Sequence, residues 1–314
     1  MTVAIPFLAA PGYASTGAWM AALQQAMPHE RITLPDAMTT AERAQCEVAI
    51  VANPSPADVA GFPQLKWVHS VWAGVERLLA ELPASDLRIV RLVDPQLADT
   101  MAEAVLTWVL YLHRDVAAYA RQQTQRVWNA LDYVRPEHRT VGILGMGALG
   151  RCAAQRLLQA KFRVLGWSRE ATPMPGVEAF AGSTGLQAML EQTDIAVCLL
   201  PLTPATTGLL NAQTLGWLPN GASLINFARG PIVNDIALQA ALDAGRLQHA
   251  VLDVFNQEPL PPAQWQWAHP RVSVLPHCSG PTDRATASAI VADNIRKFRA
   301  TGEMPTGVDR HKGY

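Results

Sequence analysis

Three polar side chains with complementary chemistry follow apolar, strand-like segments in the second half of this 314-residue chain. Arg229 comes after "ASLINFA", Glu258 lies a few residues past "HAVLDVF", and His277 ends "VSVLPH". A guanidinium binds a planar carboxylate through two hydrogen bonds, and an imidazole titrates near neutral pH. Taken singly, each residue has a structural interpretation: a surface arginine, a turn glutamate before Pro259, and one structural histidine among 8. Arg229 and His277 follow strands at the carboxyl end, where open α/β sheets bind ligands, and Glu258 lies in a loop on the same edge, so the three residues are candidates for a ligand-binding site.

A glycine-rich turn lies upstream of these residues. The segment "VGILGMGALG" contains G-x-G-x-x-G at Gly145, Gly147 and Gly150, between a strand-like run and a helical one. The first glycine permits a tight turn, the second lets the backbone approach a pyrophosphate, and the third lets helix and strand pack closely. The N–H groups of the helix N-terminus attract the same anion. A lone motif of this kind is often only a turn, but its strand–turn–helix–strand setting predicts a dinucleotide site.

The next strand-like run, "RVLGW", ends at Ser168 and Arg169 and not at an acid. An Asp or Glu at this place accepts hydrogen bonds from the ribose 2′-OH and would repel a 2′-phosphate. Ser168 and Arg169 are donors, and a guanidinium binds phosphate in bidentate fashion. The sequence therefore favours NADP over NAD. The alternative is that Arg169 is a solvated loop charge and Glu170 takes the acidic role.

The composition excludes several classes of protein. Hydrophobic residues make up 49% and charged residues 16%, against about 25% charged in an average globular protein. A formal net charge of -1 provides no basic field, so neither nucleic acid nor a membrane is an expected partner. The 4 cysteines lack metal-type spacing, which predicts a reduced protein without a metal site. The first residues lack a basic signal-peptide region, and no apolar run reaches the roughly 18 residues of a membrane span, so we expect a cytoplasmic protein.

Apolar runs alternate with helical patterns along most of the chain. The predicted strands are "VAIPFLA", "CEVAIVAN", "LKWVHSV", "LRIVRL", "TVGILG", "FRVLGW", "DIAVCLL", "ASLINFA", "HAVLDVF" and "VSVLPH". One long helical stretch from about Leu97 to Trp128 separates the first four from the rest. This alternation indicates parallel sheets with helices on both faces. We therefore expect an α/β protein with two doubly wound Rossmann-like domains and a cleft between them.

A series of motifs in fixed order resembles the D-2-hydroxyacid dehydrogenase family, and most closely its NADPH-linked glyoxylate/hydroxypyruvate reductase branch. The motifs are "VGILGMGALG", "WSRE", "PGVEAFAG", "LLPLTPATTGLLN", "NFARGPIVN", "ALDAGRLQHAVLDVFNQEPLP", "HPRVSVLPH" and "VDRHKGY". The resemblance is dense from about Arg139 to His277 and thinner in the first hundred residues. It implies a flavodoxin-like substrate-binding domain at residues 1–97 plus 282–314, and an NADP-binding Rossmann domain at residues 98–281.

The resemblance implies an oxidoreductase that reduces a small 2-oxo acid, glyoxylate or hydroxypyruvate, to a D-2-hydroxy acid by hydride transfer. Arg229 would bind the substrate carboxylate and polarise the ketone. His277 would donate the proton, and Glu258 would orient it and raise its pKa. Asp253 would contact the nicotinamide carboxamide. The other cofactor-binding residues that the resemblance implies are Met146, Ala148, Leu149, Leu200, Pro201, Phe227 and Ala228.

Two segments depart from the family pattern. "VWAGVERL" is similar to the substrate loop, with backbone N–H groups near Ala73 and Gly74 facing the substrate carboxylate. Trp72 stands where small residues are usual, so it either narrows the pocket or stacks on the substrate. "CSGPTD" follows His277 in place of a small apolar run, and we interpret Cys278 as a wall residue and not a nucleophile.

Two other functions remain open at this point. The first is a dehydrogenase of the same fold for a bulkier 2-oxo acid; formate chemistry, which needs no proton donor to an alkoxide, fits less well. The second is a nucleotide-sensing binding protein of the corepressor kind. That role requires an exposed peptide-binding surface and usually a disordered tail. The sequence shows neither a long polar tail nor a basic patch, so we expect an enzyme.

The family pairs through its cofactor domain, so a homodimer is expected. The long helical stretch offers a stripe for the interface, with roughly helical spacing. The stripe consists of Met101, Val105, Trp108, Leu112 and Val116. The alternative is that these residues belong to the core of their own chain.

Overall fold

A computed structural model describes residues 3–82, 86–171 and 173–310. The last four residues of the "VDRHKGY" motif, and with them the end of the predicted 282–314 segment, lie outside the described residues. The chain divides into two compact units, one formed by Met1–Gln96 with Thr282–Tyr314 and the other by Leu97–Pro281. The roles expected for them, substrate binding and NADP binding, remain predictions.

The strands within the described residues number twelve. They are β1 (Ile5–Ala9), β2 (Ile32–Thr33), β3 (Val48–Ala52), β4 (Trp67–Ser70), β5 (Arg88–Val90), β6 (Thr140–Leu144), β7 (Arg163–Ser168), β8 (Val177–Ala181), β9 (Ile195–Cys198), β10 (Ala222–Asn226), β11 (Leu247–Leu252) and β12 (Val272–Val274). Sequence patterns predicted all of them except β2 and β8. The first has only two residues, and all five positions of the second are partly or fully exposed, so neither produces a buried apolar run.

The α-helices in the same ranges connect these strands. They are α1 (Thr16–Ala26), α2 (Thr40–Arg43), α3 (Pro56–Ala60), α4 (Glu76–Glu81), α5 (Pro95–His113), α6 (Val116–Gln125), α7 (Ala148–Gln159), α8 (Gly182–Leu190), α9 (Ala212–Trp217), α10 (Asp235–Asp243) and α11 (Arg284–Thr301). None of these helices is long and apolar enough to cross a bilayer.

The first unit contains a five-stranded sheet in the order β2-β1-β3-β4-β5. All four strand pairs are parallel. The strand order reverses between β1 and β3, as in flavodoxin-like folds. One face packs on α1 and α11, whose buried residues include Trp19, Leu23 and Ile295.

The second unit contains a seven-stranded sheet in the order β12-β11-β10-β9-β6-β7-β8, again wholly parallel. The chain runs outward from β6 through β7 to β8, then returns to β9 and runs outward on the other side. The carboxyl ends of β6 and β9 therefore form the switch point at which such sheets bind ligands. The two parallel sheets confirm the prediction of two Rossmann-like domains.

Both faces of the seven-stranded sheet are buried. Successive residues of one strand enter different apolar clusters: Ile143 packs with α5 and α7, and Leu144 packs on the opposite face. This alternation explains why the strands read as continuous apolar runs.

The prediction of one long helix from Leu97 to Trp128 was wrong, because two helices form, α5 and α6. Between them Asp115 adopts a left-handed backbone with φ 53°, a conformation that Asp tolerates better than most residues. The segment from Val127 to Arg135 is neither helix nor strand.

The interface stripe was also assigned wrongly for most of its length. Met101, Val105 and Leu112 are buried in the core of their own unit, and Trp108 packs against it. Only Val116 is exposed, at 43%. The stripe is therefore intrachain core, while the homodimer itself remains a prediction.

Candidate active site

The glycine turn lies at the switch point of the seven-stranded sheet. Gly145 directly follows β6 with φ 108°, and a β carbon there would lie 2.8 Å from the carbonyl oxygen of Leu199, which follows β9. A β carbon at Gly150 would lie 1.9 Å from the carbonyl oxygen of Gly145. At Gly147, by contrast, no heavy atom beyond the adjacent residues lies within 4 Å of the β-carbon position. Gly145 and Gly150 are therefore needed for close backbone packing. Gly147 instead leaves open space beside the main chain.

The N-terminus of α7 fits an anionic ligand. The helix starts at Ala148 and is capped by Gly147, with no side-chain hydrogen bond to its first N–H groups. Such groups, together with the positive end of the helix dipole, bind phosphate. Met146 is buried, and a β carbon on Gly166 of β7 would lie 2.7 Å from its sulfur. Met146 therefore packs into the core, and Leu149 packs partly against the same cluster.

Ser168 and Arg169 lie at the carboxyl end of β7, the strand that pairs with β6. The Ser168 hydroxyl donates to the carbonyl oxygen of Glu170 at 2.5 Å, and the Arg169 side chain is exposed. Both donors therefore stand beside the strand that leads into the glycine turn. Glu170 is exposed as well.

Leu200 and Pro201 follow β9 on the other side of the switch point. The Leu199 N–H donates to the Leu144 carbonyl at 2.8 Å, which holds this loop beside the glycine turn. The buried Thr206 hydroxyl donates to the Pro201 carbonyl at 2.7 Å and accepts from the Thr203 N–H at 2.8 Å. Sequence reasoning missed Thr206, although the threonine-rich run "PLTPATTG" indicates such a loop.

Arg229 follows β10 in a tight turn. The side chain of the buried Asn226 accepts from the Ala228 N–H at 3.2 Å and donates to the Arg229 carbonyl at 3.1 Å. The half-buried guanidinium donates through Nη1 to the Ala228 carbonyl at 2.7 Å. Phe227 and Ala228 are buried, each 4% exposed, so their side chains pack inside the protein and support the turn.

Close backbone contact joins this turn to the segment that carries Glu258. A β carbon on Gly230 would lie 2.1 Å from the carbonyl carbon of Phe255, so only glycine fits there. The Phe255 N–H in turn donates to Glu258 Oε1 at 2.9 Å. The arginine turn and the Glu258 loop thus hold one another in place.

His277 and Glu258 form a hydrogen-bonded ion pair. His277 Nδ1 donates to Glu258 Oε2 at 2.7 Å. His277 has φ 51°, a left-handed conformation that is uncommon for a residue with a side chain and that often marks a functional site. Because Nδ1 is held by the carboxylate, the other ring nitrogen, Nε2, is the one able to exchange a proton with a ligand.

The pair perturbs both pKa values in the direction that favours charge. The hydrogen bond to Glu258 raises the pKa of His277 above its usual value, although burial and Arg229 act in the opposite direction. Partial burial alone would raise the pKa of Glu258, but the hydrogen bonds from His277 and from the Phe255 N–H outweigh it and lower that pKa. The Arg229 charge acts on both groups. Arg229, Glu258 and His277 therefore form one electrostatic cluster.

Asp253 anchors the backbone after His277. This buried carboxylate accepts from the Cys278 N–H at 2.7 Å through one oxygen and from the Ser279 N–H at 3.0 Å through the other. It lies at the end of β11, between the strands that lead to Arg229 and His277. The sequence marked Asp253 as a cofactor contact, but the anchoring was not predicted.

The unusual "CSGPTD" segment has a local explanation. A β carbon on Gly280 would lie 2.7 Å from the Met101 side chain, so glycine lets the segment pack on α5. Burial raises the pKa of the Cys278 thiol above its usual value, which disfavours the reactive thiolate.

The loop from Val71 to Val75 belongs to the first unit and follows β4. Its ends, Val71 and Val75, are buried, while Trp72, Ala73 and Gly74 are partly exposed. The Trp72 N–H donates to Ser70 Oγ at 3.1 Å. The Trp72 ring meets Tyr13 edge to face, with ring centres 5.6 Å apart.

The glycine turn at the switch point of a parallel sheet defines a dinucleotide-binding Rossmann domain. Residues 106–279 match the family model for the D-isomer specific 2-hydroxyacid dehydrogenase NAD binding domain. The chain belongs to the D-isomer specific 2-hydroxyacid dehydrogenase family, whose members are NAD(P)-dependent enzymes.

Solved structures agree over the full length. A D-isomer specific 2-hydroxyacid dehydrogenase from Xanthobacter autotrophicus Py2, crystallised with NADPH and MES, is 36% identical; the match covers 100% of both chains, with a TM-score of 0.92. An NADPH-dependent glyoxylate/hydroxypyruvate reductase from Sinorhizobium meliloti, crystallised with NADP and sulfate, is 33% identical over 99% of this chain and 100% of that one, with a TM-score of 0.89. A probable 2-hydroxyacid dehydrogenase from Rhizobium etli CFN 42, crystallised with NADP, HEPES and L(+)-tartaric acid, is 29% identical over 99% and 100%, with a TM-score of 0.89.

Proposed function

We propose that this enzyme reduces small 2-oxo acids of the glyoxylate and hydroxypyruvate type to D-2-hydroxy acids with NADPH. The observation that carries the proposal is the His277–Glu258 pair, 2.7 Å apart, within the electrostatic reach of Arg229. These side chains follow strands of the sheet whose switch point carries the glycine turn. A proton donor, a carboxylate-binding cation and a nucleotide site are the parts that such a reduction needs.

NADPH, when bound, supplies the hydride that adds to the carbonyl carbon. The open space at Gly147 and the N-terminus of α7 fit its pyrophosphate. Loop residues Leu200, Pro201, Phe227 and Ala228 and the carboxylate of Asp253 would line the rest of the nucleotide site.

The preference for NADP rests on Ser168 and Arg169. Both lie where an acid would bind the ribose 2′-OH, and the exposed guanidinium is able to bind a 2′-phosphate. The structures from Xanthobacter autotrophicus Py2 and Sinorhizobium meliloti were crystallised with NADPH and NADP, which supports the same choice.

Arg229 would bind the substrate carboxylate and polarise the ketone. Its guanidinium is half-buried and fixed by the Ala228 carbonyl, so few conformations must be lost when it binds a planar anion. Backbone N–H groups near Ala73 and Gly74, in the loop after β4, would add hydrogen bonds to the carboxylate, and Trp72 would limit the size of the substrate.

His277 would donate its Nε2 proton to the oxygen as the hydride adds to carbon. The carbonyl oxygen thereby becomes the hydroxyl group of the product, and neutral His277 regains its proton from solvent. Glu258 keeps Nδ1 protonated and holds the ring in place, because its carboxylate accepts from that nitrogen. The raised pKa of His277 keeps the imidazolium populated toward higher pH.

We also propose that the protein forms a homodimer. The interface would lie on a surface other than the α5 stripe, which is buried in its own chain. Large hydrophobic residues are exposed on α6 and the segment that follows it. They include Val116, Tyr119, Val127, Tyr133 and the fully exposed Trp128. Light scattering of the wild type and of a Trp128→Ser variant tests this. We expect twice the chain mass for the wild type and a shift toward one chain for the variant, and a wild type of single-chain mass would contradict it.

Initial rates with NADPH and NADH test the proposed reaction. Glyoxylate, hydroxypyruvate and phenylpyruvate are supplied as substrates in turn. We expect fast oxidation of NADPH with the two small acids, and D-glycerate as the product from hydroxypyruvate. Turnover with phenylpyruvate alone would move the specificity to bulkier acids. Tight NADPH binding without turnover of any acid would favour a nucleotide-sensing role.

A further inference from the structure

Asn226 is a buried polar residue to which the proposed reaction gives no role. It is the last residue of β10, three positions before Arg229, and its side chain is 1% exposed. Burying a primary amide is unfavourable unless its donor and acceptor are both satisfied. The partners of this amide therefore indicate its purpose.

Both ends of the Asn226 amide bind the turn that carries Arg229. Oδ1 accepts from the Ala228 N–H at 3.2 Å, and Nδ2 donates to the Arg229 carbonyl at 3.1 Å. An apolar side chain at this position would leave both backbone groups without these bonds. The amide thus closes the turn through its own side chain, in the manner typical of Asn in tight turns.

The guanidinium is fixed to the same turn. Arg229 Nη1 donates to the Ala228 carbonyl at 2.7 Å, so the direction of that carbonyl contributes to the direction of the side chain. On the far side, Gly230 contacts the Phe255 backbone so closely that a β carbon has no room. Movement of the Ala228–Arg229 part of the turn would therefore move the guanidinium, while the contact at Gly230 keeps the far end of the turn against the Glu258 loop.

We propose that Asn226 is a positioning residue, which directs the Arg229 guanidinium toward the substrate carboxylate without touching the substrate. This role rests on the proposed function, because it acts through the substrate-binding role of Arg229. It predicts that Asn226 matters for the 2-oxo acid and not for the nucleotide. A merely structural asparagine would affect stability without distinguishing the two ligands.

Thr193 offers a matched control. It is fully buried in the same unit, and its hydroxyl donates to the Met189 carbonyl at 2.8 Å. It precedes β9, at the edge of the sheet opposite the strand ends that carry Arg229 and His277. Thr193→Val therefore removes one buried hydrogen bond far from the site.

The experiment compares the wild type, Asn226→Ala, Arg229→Lys, the double variant and Thr193→Val. Three quantities are measured for each: KM and kcat for glyoxylate with NADPH, the Kd of NADPH by fluorescence, and the Kd of oxamate by calorimetry with NADPH present. Oxamate resembles a 2-oxo acid but is not reduced, so its binding reports on the site without turnover. Asn226→Asp, which keeps the Oδ1 acceptor, replaces Asn226→Ala if that variant does not fold.

We expect Asn226→Ala to weaken oxamate binding and lower kcat/KM for glyoxylate by roughly 10- to 100-fold, the scale on which small misplacement of a binding group acts. The Kd of NADPH should stay within about twofold, and Thr193→Val should change neither ligand. In the Arg229→Lys background the effect of Asn226→Ala should shrink to about twofold or less, because residues that act through one another are not additive.

Two results would overturn the role of Asn226 alone: an equal factor in both backgrounds, or an equal loss of affinity for NADPH and oxamate. If Arg229→Lys keeps wild-type rates, the substrate role of Arg229 fails, and the role of Asn226 fails with it. A wild type that binds NADPH but neither reduces glyoxylate nor binds oxamate would reject the proposed function itself.

Discussion

The carboxyl edges of the two sheets carry different kinds of residue. The edge of the seven-stranded sheet presents ionisable groups, Arg229, Glu258 and His277, and the pKa values of Glu258 and His277 are shifted by their hydrogen bond to each other and by the Arg229 charge. The edge of the five-stranded sheet presents an aromatic pair, Tyr13 and Trp72, in edge-to-face contact. The first edge therefore carries ionisable groups and the second carries aromatic rings, which agrees with the separate roles proposed for them in proton transfer and in substrate selection.

Two histidines make the same contrast at the level of one side chain. His69 of the first unit is fully buried, and burial lowers its pKa to about 4. Its Nδ1 donates to the Ser70 carbonyl, and its Nε2 accepts from Asn294. It is therefore neutral near pH 7 and holds the backbone before Trp72. His277 is exposed and has a carboxylate partner in place of a carbonyl, and the hydrogen bond to that carboxylate raises its pKa. Burial and the partner together therefore decide whether a histidine is able to exchange protons or only holds a loop.

The strongest test of the charged edge is Arg229→Ala. We expect kcat/KM for glyoxylate to fall, because the substrate carboxylate loses its charged partner. The loss should correspond to about 3–5 kcal/mol of transition-state free energy. Arg163→Ala is the matched control, since Arg163 lies at the opposite end of β7 and pairs with Glu178 on the surface. Steady-state rates measure the effect. Near-normal turnover by Arg229→Ala would remove the charged edge from the mechanism.

His277→Ala should have the next largest effect. We expect kcat to fall by roughly 100-fold, at the lower end of what general acids contribute, because the exposed site lets water supply some of the proton. The Kd of NADPH should not change. His269→Ala is the control, since His269 also pairs with a carboxylate, that of Asp243, at 3.1 Å. A kcat equal to the wild type would refute the role of His277 as the acid.

The charged edge was easier to predict from the sequence than the residues that support it. Strand runs, the glycine turn and the order of the motifs marked Arg229, Glu258 and His277 as candidates, because each follows a strand and carries recognisable chemistry. Asn226, Asp253 and Thr206 support the loops through backbone N–H and carbonyl groups. Those contacts depend on three-dimensional loop geometry, so residue type and spacing alone do not reveal them.

The same reason explains the errors in the helical region. The stretch from Leu97 to Trp128 has few breakers, yet it bends at Asp115, whose φ of 53° leaves no trace in the apolar pattern. An apolar stripe on a helix also predicts that the stripe is buried. It does not show whether the stripe packs against its own chain or against a partner subunit. Here the seven-stranded sheet covers Met101, Val105 and Leu112.

The pH dependence gives a finer test of the pair. In the proposed mechanism protonated His277 is the acid, so kcat/KM should fall as pH rises through its raised pKa. Glu258→Gln removes the largest cause of that raise, while burial and Arg229 still lower the pKa and Asp253 still raises it. The alkaline limb of the pH profile of kcat/KM should therefore move to lower pH. Each unit by which the pKa of His277 falls corresponds to roughly 1.4 kcal/mol of lost interaction with the imidazolium. A limb at the wild-type pH would mean that another group titrates.

The same pair sets the sign of a stability effect. Because the folded pKa of His277 is raised, its contribution is fully present below the unfolded value of 6.5 and is lost as pH rises through the folded pKa. For Glu258, whose pKa is lowered, the contribution is present above the unfolded value of 4.5 and is lost as pH falls through the folded pKa. Both contributions are present between about pH 4.5 and 6.5. The melting temperatures of the wild type and Glu258→Gln should therefore differ most in that pH range.

Arg169→Ala sharpens the comparison within the nucleotide site. We expect KM for NADPH to rise about tenfold, the loss of one or two hydrogen bonds to a charged group, and KM for NADH to change little. Arg163→Ala again serves as the control, because Arg163 is the first residue of β7 and Arg169 directly follows the last. Equal losses with both cofactors would show that Arg169 does not face the 2′-phosphate.

Among these substitutions, one at the aromatic edge should change the rate with glyoxylate least and the selectivity between 2-oxo acids most. Trp72→Ala removes a ring that also packs on the core of its unit, so thermal melts must show that the variant is folded. We expect the ratio of kcat/KM for phenylpyruvate to that for glyoxylate to rise about two- to tenfold, the scale of hydrophobic pocket discrimination. Tyr13→Phe keeps the ring and loses only the hydroxyl, which accepts from Trp19 Nε1 at 3.1 Å; it should leave the ratio unchanged. If Trp72→Ala leaves the ratio unchanged as well, the aromatic pair is core packing, and selectivity must come from the charged edge.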